Sequence, residues 1–319
     1  VTPLHHADSS IRKKGQINIV LKKQQENADA GSYGGLPLTD EVHAPFRQVE
    51  KSLSSLVGLG EMKTFMKEVY AWIYLNKKRQ EAGLSANKQT LHMVFKGNPG
   101  TGKTTVARIV AGMLKEMEVL EKGHLIEAER ADLVGEYIGH TAQKTRELIK
   151  KAMGGILFID EAYSLARGGE KDFGKEAIDT LVKAMEDQQH DFVLILAGYP
   201  REMDRFLALN PGLPSRFPLK VDFPDYSVSE LSQIAGRMLE TWQYRLNGQA
   251  AEQLKKILYN EKNREGAHFS NGRFIRNVLE KAIRHQAVRL LEADDYGRES
   301  LQVLMAEDLV KSYNKLNSG

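Results

Sequence analysis

The chain has 319 residues, 27% of them charged and 41% hydrophobic, with a formal net charge of +3. That length accommodates one or two domains with real cores, and so mild a positive balance neither requires nucleic acid nor excludes it. The absence of cysteine excludes disulfides and thiolate chemistry and agrees with a reducing compartment. No apolar run approaches the roughly 20 residues that cross a bilayer and no secretory leader is legible, so we expect a cytoplasmic protein without a membrane span.

Residues 1–45 are polar and Gly-rich, with stretches such as HADSSIRKKGQ and QQENADAGSYGG. They read as a flexible arm, with a short docking helix for a partner or a neighbouring subunit as the alternative. From about Glu50 the text becomes periodic. VGLGEMKTFMKEVYAWIYLNKKRQEAG reads as a turn and a long amphipathic helix. Met62, Phe65, Met66, Val69 and Ile73 supply its apolar stripe, with Trp72 as a further candidate.

LHMVF is the first expected strand, and TTVARIVAGMLKEM a helix opening at the loop that follows it. GGILFIDE and DFVLILAGY are the second and third strands, with the helical segments AQKTRELIKKAM and KEAIDTLVKAMED beside them. Strands alternating with helices predict an α/β fold, a parallel sheet sandwiched by helices. That domain is expected over residues 46–224. SVSELSQIAGRMLETWQYRL and FIRNVLEKAIRHQAVRLL are amphipathic and predict a small helical domain over residues 225–319. Ser227 or Ser229, and later Ser270 or Asn271, are the expected caps.

Gly97, Asn98, Pro99, Gly100, Thr101, Gly102, Lys103 and Thr104, followed by Thr105, complete a GxxxxGK[ST] phosphate loop between a strand and a helix. Its glycines let backbone N–H groups turn toward phosphate oxygens, and the helix adds the positive end of its dipole. Lys103 is expected at the β- and γ-phosphates of ATP, and Thr104 on Mg²⁺. Fifty-seven positions beyond Lys103, an apolar strand ends in Asp160 and Glu161. Asp160 suits the metal's water shell, and Glu161 suits a base that polarises the attacking water.

The stretches LVGLGEMK, VFKGNPGTGKTTVAR, ADLVGEYIGHTAQKT, GILFIDEAYSLARG, ILAGYPREMDRFLALNPGLPSRF, FPDYS and FSNGRFIRNVLEKA resemble AAA+ ATPases. Within them the chain resembles the stage V sporulation protein K family, to which the red-type Rubisco activase is related. The resemblance covers roughly residues 50 to 300 and implies a P-loop domain followed by a helical lid. It also implies an ATP-hydrolysing ring, hexameric in such proteins, that remodels a partner protein, here with a role in sporulation.

Residue by residue, the resemblance implies adenine packing at Val57 and Gly58, for which an ordinary turn is the alternative. Tyr137, Ile138 and Gly139 correspond to a pore loop whose aromatic grips a threaded polypeptide, or Tyr137 is a packing residue. Residues 167–172 would be a second channel loop or solvated surface. Arg216 corresponds to an arginine finger reaching the neighbouring subunit's γ-phosphate, or it is a surface arginine pairing with an acidic neighbour. Arg273 corresponds to the sensor 2 arginine, with Arg276 a weaker candidate. Tyr199 stands where many such proteins carry Asn or Thr as sensor 1, so either it takes that role or a neighbour does.

Three other functions are weighed. A nucleic-acid motor or clamp loader would carry a denser basic face or a DNA-binding module, neither of which is visible. A metabolic P-loop kinase fits poorly with the helical domain, Arg216 and Arg273. A nucleotide-gated scaffold would leave Glu161 idle. The identity of the remodelled partner is not written in the chain.

Overall fold

The computed structural model describes residues 44–54, 56–86, 89–137, 139–167 and 173–317. Nearly all of the expected arm, Ile138 of the pore loop and residues 168–172 of the second channel loop lie outside the described residues.

Helix α1 (Ala44–Ser54) leads into α2 (Gly60–Glu81), which buries Met62, Phe65, Met66, Val69 and Ile73 as the periodicity predicts. Tyr70 completes that stripe, while Trp72 is only half-buried. The sheet then alternates with helices. Its elements are β1 (Met93–Gly97), α3 (Lys103–Glu116), β2 (Leu125–Ala128), α4 (Arg130–Leu133), α5 (His140–Ala152) and β3 (Ile156–Ile159). After a 3₁₀ turn (Ala162–Ala166) come α6 (Gly174–Asp187), β4 (Val193–Gly198), α7 (Pro200–Leu209), α8 (Leu213–Arg216) and β5 (Leu219–Phe223).

The five strands are all parallel, in the order β2-β3-β4-β1-β5. The expected strands are the three in the middle, and two edge strands join them. Side chains alternate between the two faces, as the pleat requires. Met93, Phe95, Ile156, Phe158, Ile195 and Val221 pack in one core with α1, α2 and α3. Val94, Leu157, Ile159, Leu194 and Leu196 pack in the other with α5, α6 and α7. Both faces are therefore covered, which is why the central strands read as unbroken apolar runs.

Five further helices follow: α9 (Val228–Thr241), α10 (Gly248–Glu265), α11 (Asn271–Ala293), α12 (Arg298–Gln302) and α13 (Ala306–Asn317). A short parallel pair, β6 (Arg245–Leu246) and β7 (Val303–Leu304), ties them together. Ser227 caps α9. Its Oγ accepts from the Glu230 N–H at 3.2 Å, and the Glu230 carboxylate accepts from the Ser227 N–H at 2.8 Å. Ser270 precedes α11 but makes no side-chain capping bond. Leu231, Ala235, Leu254, Ile257, Ile275 and Val278 extend the first core into this helical unit. The lid thus rests against the sheet domain on a continuous apolar seam.

Candidate nucleotide-hydrolysis site

The carboxyl ends of β1, β3 and β4 open on one cleft of about 1060 Å³. In an open parallel sheet, ligands bind at that end, beside the strand where the winding reverses. Strand β1 fills that position here, flanked by β4 and β5. The phosphate loop follows it directly. Gly100 (φ 71°) and Gly102 (φ 95°) hold left-handed backbone that an L side chain resists. Gly102 caps α3, so the N–H groups of its first turn face the cleft mouth.

Lys103 opens α3, and its Nζ donates to the carbonyls of Gly97 at 2.8 Å and Asn98 at 2.9 Å. Burial holds the ammonium's pKa below its ordinary value, Asp160 partly offsets this, and Arg273 adds to the lowering. Anionic phosphate oxygens at this place reverse that penalty, because they favour the charged form. Thr101 is buried, and its Oγ1 donates to the Asn98 carbonyl at 2.8 Å.

Asp160 and Glu161 follow β3. The Asp160 N–H bonds the Ala128 carbonyl at 3.0 Å, extending the β2 ladder, and its Oδ1 accepts from the Glu161 N–H at 3.0 Å. Glu161 has a left-handed φ of 47°, and its exposed side chain lines the cleft. Backbone strain of this kind concentrates where function requires it. Tyr199 follows β4 directly and precedes Pro200, the first residue of α7. Burial, then the Glu161 charge, raises its phenol pKa, so the hydroxyl stays a donor. Arg273 and Arg276, one turn apart on α11, bring two guanidinium groups to the same cleft from the lid.

Lys103, Thr104, Thr105, Asp160, Glu161, Tyr199 and Arg273 thus meet in one place. Val57 and Gly58 do not line the cleft. Gly58 lies against the lid, where an added Cβ would sit 2.3 Å from Glu230 Oε1 and 3.4 Å from the Tyr226 ring. Arg216 is also absent from it. Its guanidinium pairs with Glu186 and donates to the Gly212 carbonyl at 2.7 Å.

The sequence reading missed the cleft's far wall. Arg130 donates to the Ser164 carbonyl at 2.7 Å, and Lys144 donates to the Ala131 carbonyl at 2.6 Å. The available signal was Glu129 and Asp132, spaced as the capping box they form around α4. This wall leads into Gly135 and Tyr137. Tyr137 is 65% exposed and meets His140 edge-on at 5.5 Å.

Residues 93–225 match the ATPase family associated with various cellular activities (AAA), and residues 227–319 match the AAA lid domain, which makes the protein an ATP-hydrolysing AAA+ enzyme. More narrowly, the chain belongs to the stage V sporulation protein K family. It is 60% identical over 306 residues to stage V sporulation protein K of Bacillus subtilis strain 168, covering 94% of this chain and 95% of that one. It is 46% identical to the chloroplastic ribulose bisphosphate carboxylase/oxygenase activase of Cyanidioschyzon merolae, over 81% of this chain and 88% of the relative. To protein CbbX of Cereibacter sphaeroides it is also 46% identical, over 80% and 82% of the two chains.

Among solved structures, the FIGL-1 AAA domain in complex with ADP superposes with a TM-score of 0.56 at 17% identity, covering 81% of this chain and 82% of that one. The Thermotoga maritima RuvB Holliday junction branch migration motor superposes with a TM-score of 0.52 at 19% identity, covering 82% and 70%. At those identities the likeness is one of fold.

Proposed function

We propose that this ATPase assembles into a hexameric ring in the cytoplasm and uses ATP turnover to pull on a partner protein during sporulation. The observation that carries the reading is the division of the catalytic set. Lys103, Asp160, Glu161, Tyr199 and Arg273 share one cleft, whereas Arg216 stands outside it. A finger that serves a neighbour must lie outside its own site and be able to leave its resting partners. The Arg216–Glu186 pair is only partly buried, with 28% of the Arg216 side chain and 55% of the Glu186 side chain exposed, so water screens it and Glu186 can be exchanged for a γ-phosphate.

In this reading Lys103 and the loop N–H groups orient the β- and γ-phosphates. Thr104 and Asp160, both at the cleft, fit Mg²⁺ bound through few protein oxygens plus phosphate, and the ion supplies charge neutralisation there. Glu161 accepts the proton of the attacking water as its oxygen bonds the γ-phosphorus and the bond to the β-γ bridging oxygen breaks, releasing ADP and inorganic phosphate. Tyr199 orients that water as sensor 1, Arg273 binds phosphate in cis, and the neighbour's Arg216 neutralises developing charge. Val57 and Gly58 remain the place for adenine in this reading, with Glu230 of the lid and Tyr226 of the linker beside Gly58. Tyr137, with Ile138 and Gly139, forms the pore loop. The exposure of Tyr137 supports that role. Among the described residues no helix is long and apolar enough to cross a membrane.

The test is ATPase rate per subunit against protein concentration, with mass measured in parallel in ATP and ADP. A rate that rises steeply with ring formation is expected. A flat rate from a protein that stays monomeric refutes the ring.

A further inference from the structure

We infer that Asp225 is a positioning residue that ties the phosphate loop to the lid, so that nucleotide held by the loop sets the angle of α11 and its Arg273. Asp225 lies in the linker between β5 and α9, in neither the loop nor α11, yet it bonds to both. Both of its carboxylate oxygens accept from Asn98 Nδ2 of the phosphate loop at 3.0 Å. Oδ1 also accepts from Asn271 Nδ2, the first residue of α11, at 2.7 Å.

The orientation of Asn271 follows from its partners. Its Oδ1 accepts from the Tyr226 N–H at 3.0 Å, which leaves its amide nitrogen to face Asp225, the Phe269 carbonyl and, at 3.4 Å, the Pro99 carbonyl of the loop itself. Asn271 is fully buried and held at a left-handed φ of 45°. A carboxylate suits the centre of this network because it only accepts, and charged acceptors make the stronger bonds.

Two bonds to loop carbonyls close the same seam. The Gly272 N–H donates to the Gly100 carbonyl at 3.1 Å, and the Tyr226 hydroxyl donates to the Thr101 carbonyl at 3.0 Å. Asn98 is therefore gripped at both ends, by Asp225 at its side chain and by Lys103 and Thr101 at its carbonyl. Once Lys103 turns to a phosphate, the carbonyl grip changes while the side-chain grip carries the displacement to Asp225 and onward to α11. Such differential contacts are what coupling between loop and lid requires.

The inference rests on the nucleotide reading of the loop. Because the chain has no cysteine, Lys150→Cys on α5 and Glu292→Cys on α11 allow two probes to be placed without background. Both positions are exposed. The probe distance is measured in the full chain with and without a magnesium complex of a non-hydrolysable ATP analogue, whose binding is titrated separately. We expect the parent to shift on binding, and Asp225→Ala and Asp225→Asn to lose the shift while the apparent affinity falls on the order of tenfold.

A parent that binds no analogue refutes the nucleotide reading itself. A parent that binds without shifting, or single variants that shift normally, overturns the tie.

Discussion

Gly100→Ala probes how closely the phosphate loop meets the lid. Gly100 holds φ at 71°, which costs an L residue roughly 1–2 kcal/mol. The new methyl would lie 2.4 Å from the Ser270 carbonyl oxygen, 2.7 Å from the Arg273 nitrogen and 2.9 Å from the Gly272 nitrogen. All three are backbone atoms, so no side chain can rotate away, and such overpacking costs about 1–3 kcal/mol. Together these give ~2–5 kcal/mol, a large part of the ~5–15 kcal/mol that keeps a domain folded. The control is Gly112→Ala, in an exposed turn of α3 with nothing within 4 Å of its added methyl. There the lost chain entropy of the unfolded state and the better helix propensity should add about 0.5–1 kcal/mol. Urea unfolding followed by far-UV circular dichroism, with fluorescent-ATP binding in parallel, reads both. If Gly100→Ala unfolds within about 0.5 kcal/mol of the parent and binds ATP normally, the loop and lid do not meet as described.

Glu161→Gln should preserve ATP binding and lower kcat by ~10²–10⁴, measured as phosphate release at saturating MgATP, and normal turnover would remove Glu161 from the base's role. Arg216→Ala should spare binding by the subunit and abolish hydrolysis in the assembly. Mixing it with Glu161→Gln subunits should restore part of the turnover, and no rescue in rings shown to be mixed would speak against a finger in trans. His92 lies buried between Phe192 and Phe217, and burial pushes its pKa down to about 4 from 6.5. The unfolded chain therefore binds the extra proton first. About 3 kcal/mol of stability, present above pH 6.5, should be lost as the pH falls toward 4. In His92→Gln, which keeps an acceptor for the Leu194 N–H, that part of the pH dependence should vanish from denaturation curves taken between pH 7.5 and 4.5.

The chemistry that depends on neighbours along the chain was legible before any fold was seen. The phosphate-loop pattern is a run of consecutive residues, so its glycines and lysine can be read from the chain alone. Asp160 and Glu161 announce themselves by ending an apolar strand. Strands β1, β3 and β4 were legible because burial on both faces leaves their residues almost uniformly apolar. The edge strands β2 and β5 escaped notice because LIEA and LKVDF are half-exposed and carry charge.

Contacts between residues remote in sequence belonged to the tertiary structure. It showed Arg216 turned to Glu186, Gly58 backed against Glu230, and Asp225 bridging Asn98 to Asn271. Local patterning records which face of an element is apolar and which turn a glycine permits. Which remote side chains come within hydrogen-bonding distance is decided by the order of the strands and the seat of the lid, and no periodicity in the chain encodes that.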